Sequence, residues 1–97
     1  MKSHSYDWNG AAKRRGIQRA EYTLSGPSAG LDSVAIDGEV KIKVEGDTDS
    51  APTSFTDPTW FQLLKLFDDY LVKKDITDHV YFEGVFPQDD IYYISYS

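Results

Sequence analysis

The residues that could do chemistry are few, and their spacing does not assemble a catalytic or metal site. Two histidines occur, His4 near the start of the chain and His79 directly after Asp78. A metal site needs three or four converging ligands, and no single predicted element carries that many donors. His79 is therefore predicted to be a strand-edge histidine bonded to backbone or solvent. The chain has no cysteine, which excludes disulfides and cysteine-based metal centres.

Adjacent carboxylates occur twice, at Asp68-Asp69 and at Asp89-Asp90. Neighbouring side chains on a helix point about 100° apart, so Asp68 and Asp69 are poorly placed to share a proton. Asp89 and Asp90 fall in a predicted turn, where aspartate is favoured for backbone reasons. No serine has the context of a nucleophile elbow, and no glycine-rich loop has the spacing of a phosphate cradle. The sequence predicts a protein that is not an enzyme and that holds neither cofactor nor metal.

One long helix, predicted over Asp57–Asp75, is the element around which the other segments are organised. Asp57 is the predicted N-cap, and Pro58 occupies the first helical position, where its missing N–H costs nothing. Residues on one broad face are apolar. They are Trp60, Leu63, Leu64, Leu66, Phe67, Tyr70 and Leu71. This face predicts packing against a sheet.

Phe61 and Val72 lie on the flank of the apolar face, with Asp68 between them on the helical wheel. One interpretation is that a loop covers them, such as the loop that contains Phe55. The other is a second contact, made with another subunit or with a partner. Single exposed apolar residues are common on protein surfaces, which favours the first interpretation.

Strands are predicted before the helix at Gly16–Leu24 and at Val34–Val44, where side-chain character alternates. Asp37-Gly38 resembles a hairpin turn, but a two-residue loop would mix the two faces, so one long strand with Gly38 as a kink or bulge fits better. A slightly longer hairpin loop stays open as the alternative. Residues 46–57 are predicted to be a solvated acidic loop.

After the helix, residues 79–86 and 91–96 are predicted to form a hairpin through the turn at 87–90. The order β-β-α-β-β predicts an α+β two-layer domain, in which an antiparallel sheet of about four strands is covered on one face by the helix. The other sheet face is expected to carry Glu39, Lys41, Lys43 and several tyrosines.

The 97 residues are predicted to form one domain, with residues 1–16 as an irregular N-terminal arm that is basic and aromatic. Residues 1–30 carry a net charge of +3 and residues 31–97 a net charge of −9. The chain has no signal-peptide pattern and no stretch long enough to span a membrane, so a cytoplasmic protein is expected.

The acidic body favours a small protein-binding module, of the kind that immunity proteins and phage-encoded anti-defence inhibitors represent. Such a module would cover a basic, nucleic-acid-binding surface of its target. The predicted contact residues are Asp68, Asp75, Asp78, Asp89, Asp90, Phe61 and Val72.

Two alternatives stay open. The N-terminal arm could bind nucleic acid, with phosphate contacts from Lys13, Arg14, Arg15 and Arg19 and with Trp8 stacking on a base. Four basic residues are few, and the acidic body would repel the same ligand, so nucleic acid is not the expected partner. The chain could also be a structural subunit of a larger particle, because its aromatic final strand could pair with another chain; a monomer or a homodimer is expected.

Overall fold

The structure, a computed structural model, describes residues 8–22 and 30–97. Two helices and five strands follow one another along these segments. They are α1 (Trp8–Arg14), β1 (Glu21–Tyr22), β2 (Glu39–Val44), β3 (Thr53–Thr56), α2 (Trp60–Lys74), β4 (Tyr81–Gln88) and β5 (Ile91–Tyr96). The α+β class with one main helix is confirmed.

The strands form one mixed sheet in the order β1-β4-β5-β2-β3. β4 pairs antiparallel with β5, and β2 with β3, whereas β1–β4 and β2–β5 are parallel pairs. The predictions of four strands and of a purely antiparallel sheet were therefore wrong. β5 fills the central position, so the C-terminal hairpin of β4 and β5 joins directly onto β2.

The core lies between α2 and one face of this sheet. Leu63, Leu64, Phe67 and Leu71 of α2 are buried, and so are residues from four of the strands. Those strand residues are Tyr22, Ile42, Val44, Phe82 and Ile94. Phe67 contacts both Phe82 and Tyr96, with ring centroids 6.2 and 5.0 Å apart. The predicted packing of the apolar helix face on the sheet is confirmed.

The start of α2 differs from its prediction. Thr59 is the N-cap and forms a capping box, in which its hydroxyl accepts from the Gln62 N–H and the Gln62 side chain accepts from the Thr59 N–H. Asp57 lies outside the helix, and its carboxylate instead accepts the N–H of Gly38. Asp57 was therefore wrongly predicted as the cap.

Within residues 16–22 of the predicted first strand, the strand β1 covers Glu21–Tyr22, and Thr23 and Leu24 lie outside the described residues. The predicted strand Val34–Val44 begins only at Glu39, and Val34 makes an isolated bridge to Thr59. Gly38 precedes β2 with a φ of 89°, so it is neither a hairpin turn nor a bulge within a longer strand.

Two elements replace predicted irregular segments. Residues 8–14 of the N-terminal arm form α1, and Thr53–Thr56 of the predicted loop form the edge strand β3. The Asn9 side chain in α1 accepts the N–H of Tyr22 and donates to its carbonyl, which occupies both backbone groups of that β1 residue. The arm is thus attached to an edge of the sheet.

Candidate functional site

Carboxylates converge at the end of the sheet where β2 and β5 begin. The two strands are parallel neighbours, with Ile42 opposite Tyr92, so Glu39 at the start of β2 lies beside the turn that leads into β5. Asp89 and Asp90 form that turn, between Gln88 and Ile91. Asp89 adopts the left-handed conformation with a φ of 57°, which aspartate and asparagine tolerate better than most residues.

Asp37 and Asp57 join the same end through a contact between chain segments. The N–H of Asp57 donates to the Gly38 carbonyl at 2.9 Å, and the Asp57 carboxylate accepts the Gly38 N–H. This reciprocal contact extends the β2–β3 pairing, in which Glu39 lies opposite Thr56. We call the resulting set the acidic end. Its members are Asp37, Glu39, Asp57, Asp89 and Asp90.

The acidic end is exposed, and its carboxylates form no ion pair with the basic residues that the structure describes. All five residues are exposed. Within the part of the chain that the structure describes, none of the five carboxylates lies within 4 Å of a basic nitrogen. Like charges held close together in this way create a negative potential over the surrounding surface. Such a surface can attract and orient a basic partner.

Asp75 and Asp78 lie elsewhere, at the exit of α2 and before β4. The exit and the acidic end are separated by the length of β4, whose eight residues extend about 25 Å. Asp75 is also already paired, because its Oδ1 lies 2.9 Å from Nη2 of Arg19. Asp78 lies 3.9 Å from Nε2 of His79. The structure therefore places the predicted carboxylates in two separate patches.

Asp68 belongs to neither patch, because it is fully buried at 0% exposure. Its Oδ1 accepts the backbone N–H groups of Arg19 and Ala20 at 2.7 and 2.9 Å, and its Oδ2 accepts that of Gln18 at 3.0 Å. These bonds satisfy the carboxylate inside the protein. Asp68 is removed from the predicted contact residues, since no partner can reach it in this conformation.

The two apolar flank residues are placed differently from each other. Phe61 is half-buried, and the guanidinium of Arg15 lies 3.9 Å from the centre of its ring. Its cover is thus an arginine of the arm rather than the loop with Phe55. Val72 is 37% exposed. Phe61 and Val72 thus do not form one continuous apolar patch that adjoins the acidic end.

Two of the four basic residues predicted to bind nucleic acid, Arg15 and Arg19, are engaged in contacts within the chain. Besides covering Phe61, Arg15 donates from Nη1 to Asp32 at 2.9 Å. Arg19 donates from Nη1 to the carbonyls of Leu71 and Ile76 at the end of α2. Lys13 and Arg14 are exposed in the last turn of α1, and nothing is described of the Trp8 side chain. Of the four predicted cations, Lys13 and Arg14 are left for phosphate contacts, which weakens the nucleic-acid alternative.

Shifted pKa values occur away from the acidic end. A hydrogen bond from Lys74 lowers the pKa of Asp49 and, reciprocally, raises the pKa of Lys74. Burial and a hydrogen bond with Tyr70 raise the pKa of Tyr96 to about 12. None of these shifts brings the pKa of a group towards neutral pH, where it could serve in proton transfer.

Residues 8–22 and 30–97 also bear on metal, membrane and small-molecule sites. No group of three or more potential ligands there could hold a metal ion. No helix in these segments is long and apolar enough to cross a membrane. A cleft of about 150 Å³ opens between α2 and β2, lined by Ile42, Val44, Leu66 and Tyr70 among others. It is small compared with the pockets that hold drug-sized ligands.

Asp89 and Asp90 of the acidic end are among the contact residues predicted from the sequence, whereas Asp37, Glu39 and Asp57 are not. Glu39 and Asp37 were assigned to the outward side of a strand, but their distance from Asp89 depends on the parallel pairing of β2 with β5. In comparisons with protein-family models, curated proteins and solved structures, nothing matches this chain.

Proposed function

We propose that this protein is a small non-enzymatic protein-binding module, an inhibitor that covers a basic, nucleic-acid-binding surface of its target. Immunity proteins and phage-type anti-defence proteins act in this way. The observation that supports the proposal is the acidic end, where five exposed carboxylates lie without a described cation within ion-pair distance. A net charge of −6 adds a long-range attraction for basic partners.

The geometry at the acidic end supports this function better than a purely solubilising role. Carboxylates that only keep a protein in solution can be dispersed and paired, as Asp69 is with Lys65 at 3.0 Å. At the acidic end, charges from three separate chain segments are brought together instead. Complementary charge of this kind mainly raises the association rate and selects the partner. The target's phosphate-binding surface is the kind of surface that it would match.

The test uses a variant in which four of these residues are neutralised: Asp37→Asn, Glu39→Gln, Asp89→Asn and Asp90→Asn. Asparagine suits the left-handed conformation at residue 89. Asp57 is kept, because its carboxylate holds Gly38. The matched control makes the same change of net charge elsewhere on the surface, with Glu21→Gln, Glu45→Gln, Asp69→Asn and Glu83→Gln.

Binding is measured by biolayer interferometry against a panel of purified basic nucleic-acid-binding proteins, with nucleic acid as competitor. We expect at least one member to bind the wild type, to bind the four-site variant at least about tenfold more weakly, and to bind the control within about twofold. Asp75→Asn with Asp78→Asn tests the helix exit as a separate patch. Equal losses in the four-site variant and the control, or no binding to any member, would contradict the proposal.

A further inference from the structure

The sheet face turned away from α2 carries an aromatic pair at its centre. Phe86 on β4 lies opposite Tyr93 on β5, and their rings are stacked with centroids 5.9 Å apart and planes 28° apart. Both side chains are half-exposed, and neither belongs to the core cluster, which takes in the buried residues of α1 and α2. We call this side of the sheet the outer face.

A β-bulge is the reason why Phe86 reaches the outer face. Phe82 is fully buried opposite Tyr96, and with strict alternation Phe86 would point into the core as well. The register shifts between Phe82 and Gly84, and Gly84 has a φ of 136°. This shift reverses the sides for the rest of β4. Bulges are common where a strand has to redirect a side chain. This bulge moves a large aromatic ring from the core side of the sheet to its outer face.

The aromatic pair is continuous with the acidic end. Beyond Phe86 and Tyr93, the next pair on the outer face is Gln88 with Ile91, and Asp89 and Asp90 follow directly. A large ring next to a charged rim is the usual anatomy of a protein-binding surface, in which aromatic anchors supply most of the binding energy. Carboxylates at the rim then select the partner.

We infer that Phe86 and Tyr93 are the anchor of the binding surface whose rim is the acidic end. The occupant is a protein that presents basic residues beside an aromatic or aliphatic side chain, which packs against the two rings. This inference rests on the proposed function and adds the second component of its site. Lys43 lies beside Tyr93 in the parallel register, so the partner's basic residues are directed towards the turn and the start of β2 and away from Lys43.

A single-stranded nucleic acid is the other ligand that stacks on aromatic side chains. The charges favour a protein. The outer face carries Lys41 and Lys43, whereas the adjoining turn and strand ends carry the five carboxylates of the acidic end, which repel phosphate.

The test uses two labelled peptides of equal length and charge, one alternating lysine with tryptophan and one alternating lysine with glycine. Fluorescence anisotropy gives the affinity of each peptide, and NMR shifts locate it on the protein. The wild type should bind the tryptophan peptide about tenfold more tightly, since aromatic contacts add to the charge attraction. Phe86→Ser with Tyr93→Ser should abolish this preference and leave glycine-peptide binding within about twofold.

Tyr81→Ser is the matched control, because Tyr81 is an aromatic residue, 42% exposed, at the other end of β4 from the acidic turn. It should retain the preference. Circular dichroism confirms that the variants are folded.

The outcomes separate the two proposals. Failure of the glycine peptide to bind would overturn the proposed function, because the acidic end would not attract cations. Binding of both peptides without a tryptophan preference, or a preference that survives in the Phe86/Tyr93 variant, would overturn only the aromatic anchor. The anchor's assignment would also be overturned if the wild type bound oligothymidylate or formed a dimer and the Phe86/Tyr93 variant did not. The occupant would then be nucleic acid in the first case and a second copy of the chain in the second.

Discussion

Tyr96 of β5 is half-buried and packs against two aromatic residues of α2. Its ring centroid is 5.0 Å from that of Phe67 and 6.3 Å from that of Tyr70. Burial and the hydrogen bond with Tyr70 raise its pKa from 10.0 to about 12, because both favour the neutral phenol over the phenolate. The residue therefore links the free energy of unfolding to alkaline pH.

The direction of this linkage follows from proton binding. Between pH 10 and 12 the unfolded chain loses the Tyr96 proton while the folded protein keeps it, so the unfolded state becomes relatively more stable. The contribution of Tyr96 is thus complete below pH 10 and is lost as the pH rises towards 12. Urea unfolding at pH 8 to 11 should give a steeper decline for the wild type than for Tyr96→Phe. Equal slopes would contradict the assignment. Burial also raises the pKa of Tyr22, and this residue contributes to the pH dependence of both proteins.

At the scale of elements, Asp68 attaches the segment before β1 to α2. Its carboxylate accepts three consecutive backbone N–H groups, at Gln18, Arg19 and Ala20. Arg19 makes the reciprocal contact, donating to the carbonyl of Leu71 in the last turn of α2 and to that of Ile76 just beyond the helix, and pairing with Asp75. These two residues hold β1 in its parallel position beside β4.

Asp68→Asn should lower the free energy of unfolding by about 3 kcal/mol, because an amide oxygen replaces the charged acceptor and its NH₂ group faces buried donors. Asp69→Asn is the control, since Asp69 is exposed and its ion pair with Lys65 should contribute less than about 1 kcal/mol. Urea unfolding measures both changes, and hydrogen exchange should show faster exchange at residues 18–20 in the Asp68 variant. Similar losses in the two variants would contradict this role.

The sequence predicted the elements whose signal is local. The period of apolar residues in α2 and the alternation in β2 are each set by their own residues, and both were found. The role of Asp68 depends on backbone groups about 50 residues away, and no helical wheel can indicate it. β1 is two residues long and β3 reads Thr-Ser-Phe-Thr, so neither offers a pattern without its neighbouring strand. The acidic end was missed in part for the same reason, because parallel pairing brings it together.

At the scale of the whole molecule, the separation of the carboxylates into two patches affects the free energy of unfolding. The acidic end holds like charges together, whereas Asp75 at the helix exit is stabilised by Arg19. Surfaces selected for binding often reduce stability in this way. The two patches should therefore respond differently to neutralisation.

The four-site variant proposed above should be more stable than the wild type at low salt, by up to about 1 kcal/mol, and the difference should shrink at high salt as screening removes the repulsion. Asp75→Asn with Asp78→Asn should not be stabilising, because it removes an ion pair. Thermal unfolding at two salt concentrations measures both. A four-site variant that is less stable than the wild type at low salt would show that these carboxylates make stabilising contacts.

The central position of β5 determines when the molecule can fold during synthesis. β5 follows the other described strands along the chain, yet it separates β4 from β2 and pairs with both. Until Tyr96 has been made, the β2–β3 hairpin and β4 have no partner between them, and α2 has no continuous sheet to cover. The β2–β5 pairing joins residues that are far apart along the chain, such as Ile42 and Tyr92, so it carries a loop-closure cost and forms slowly. We therefore expect the sheet to close only after β5 has emerged from the ribosome, and the apolar face of α2 to stay accessible until then.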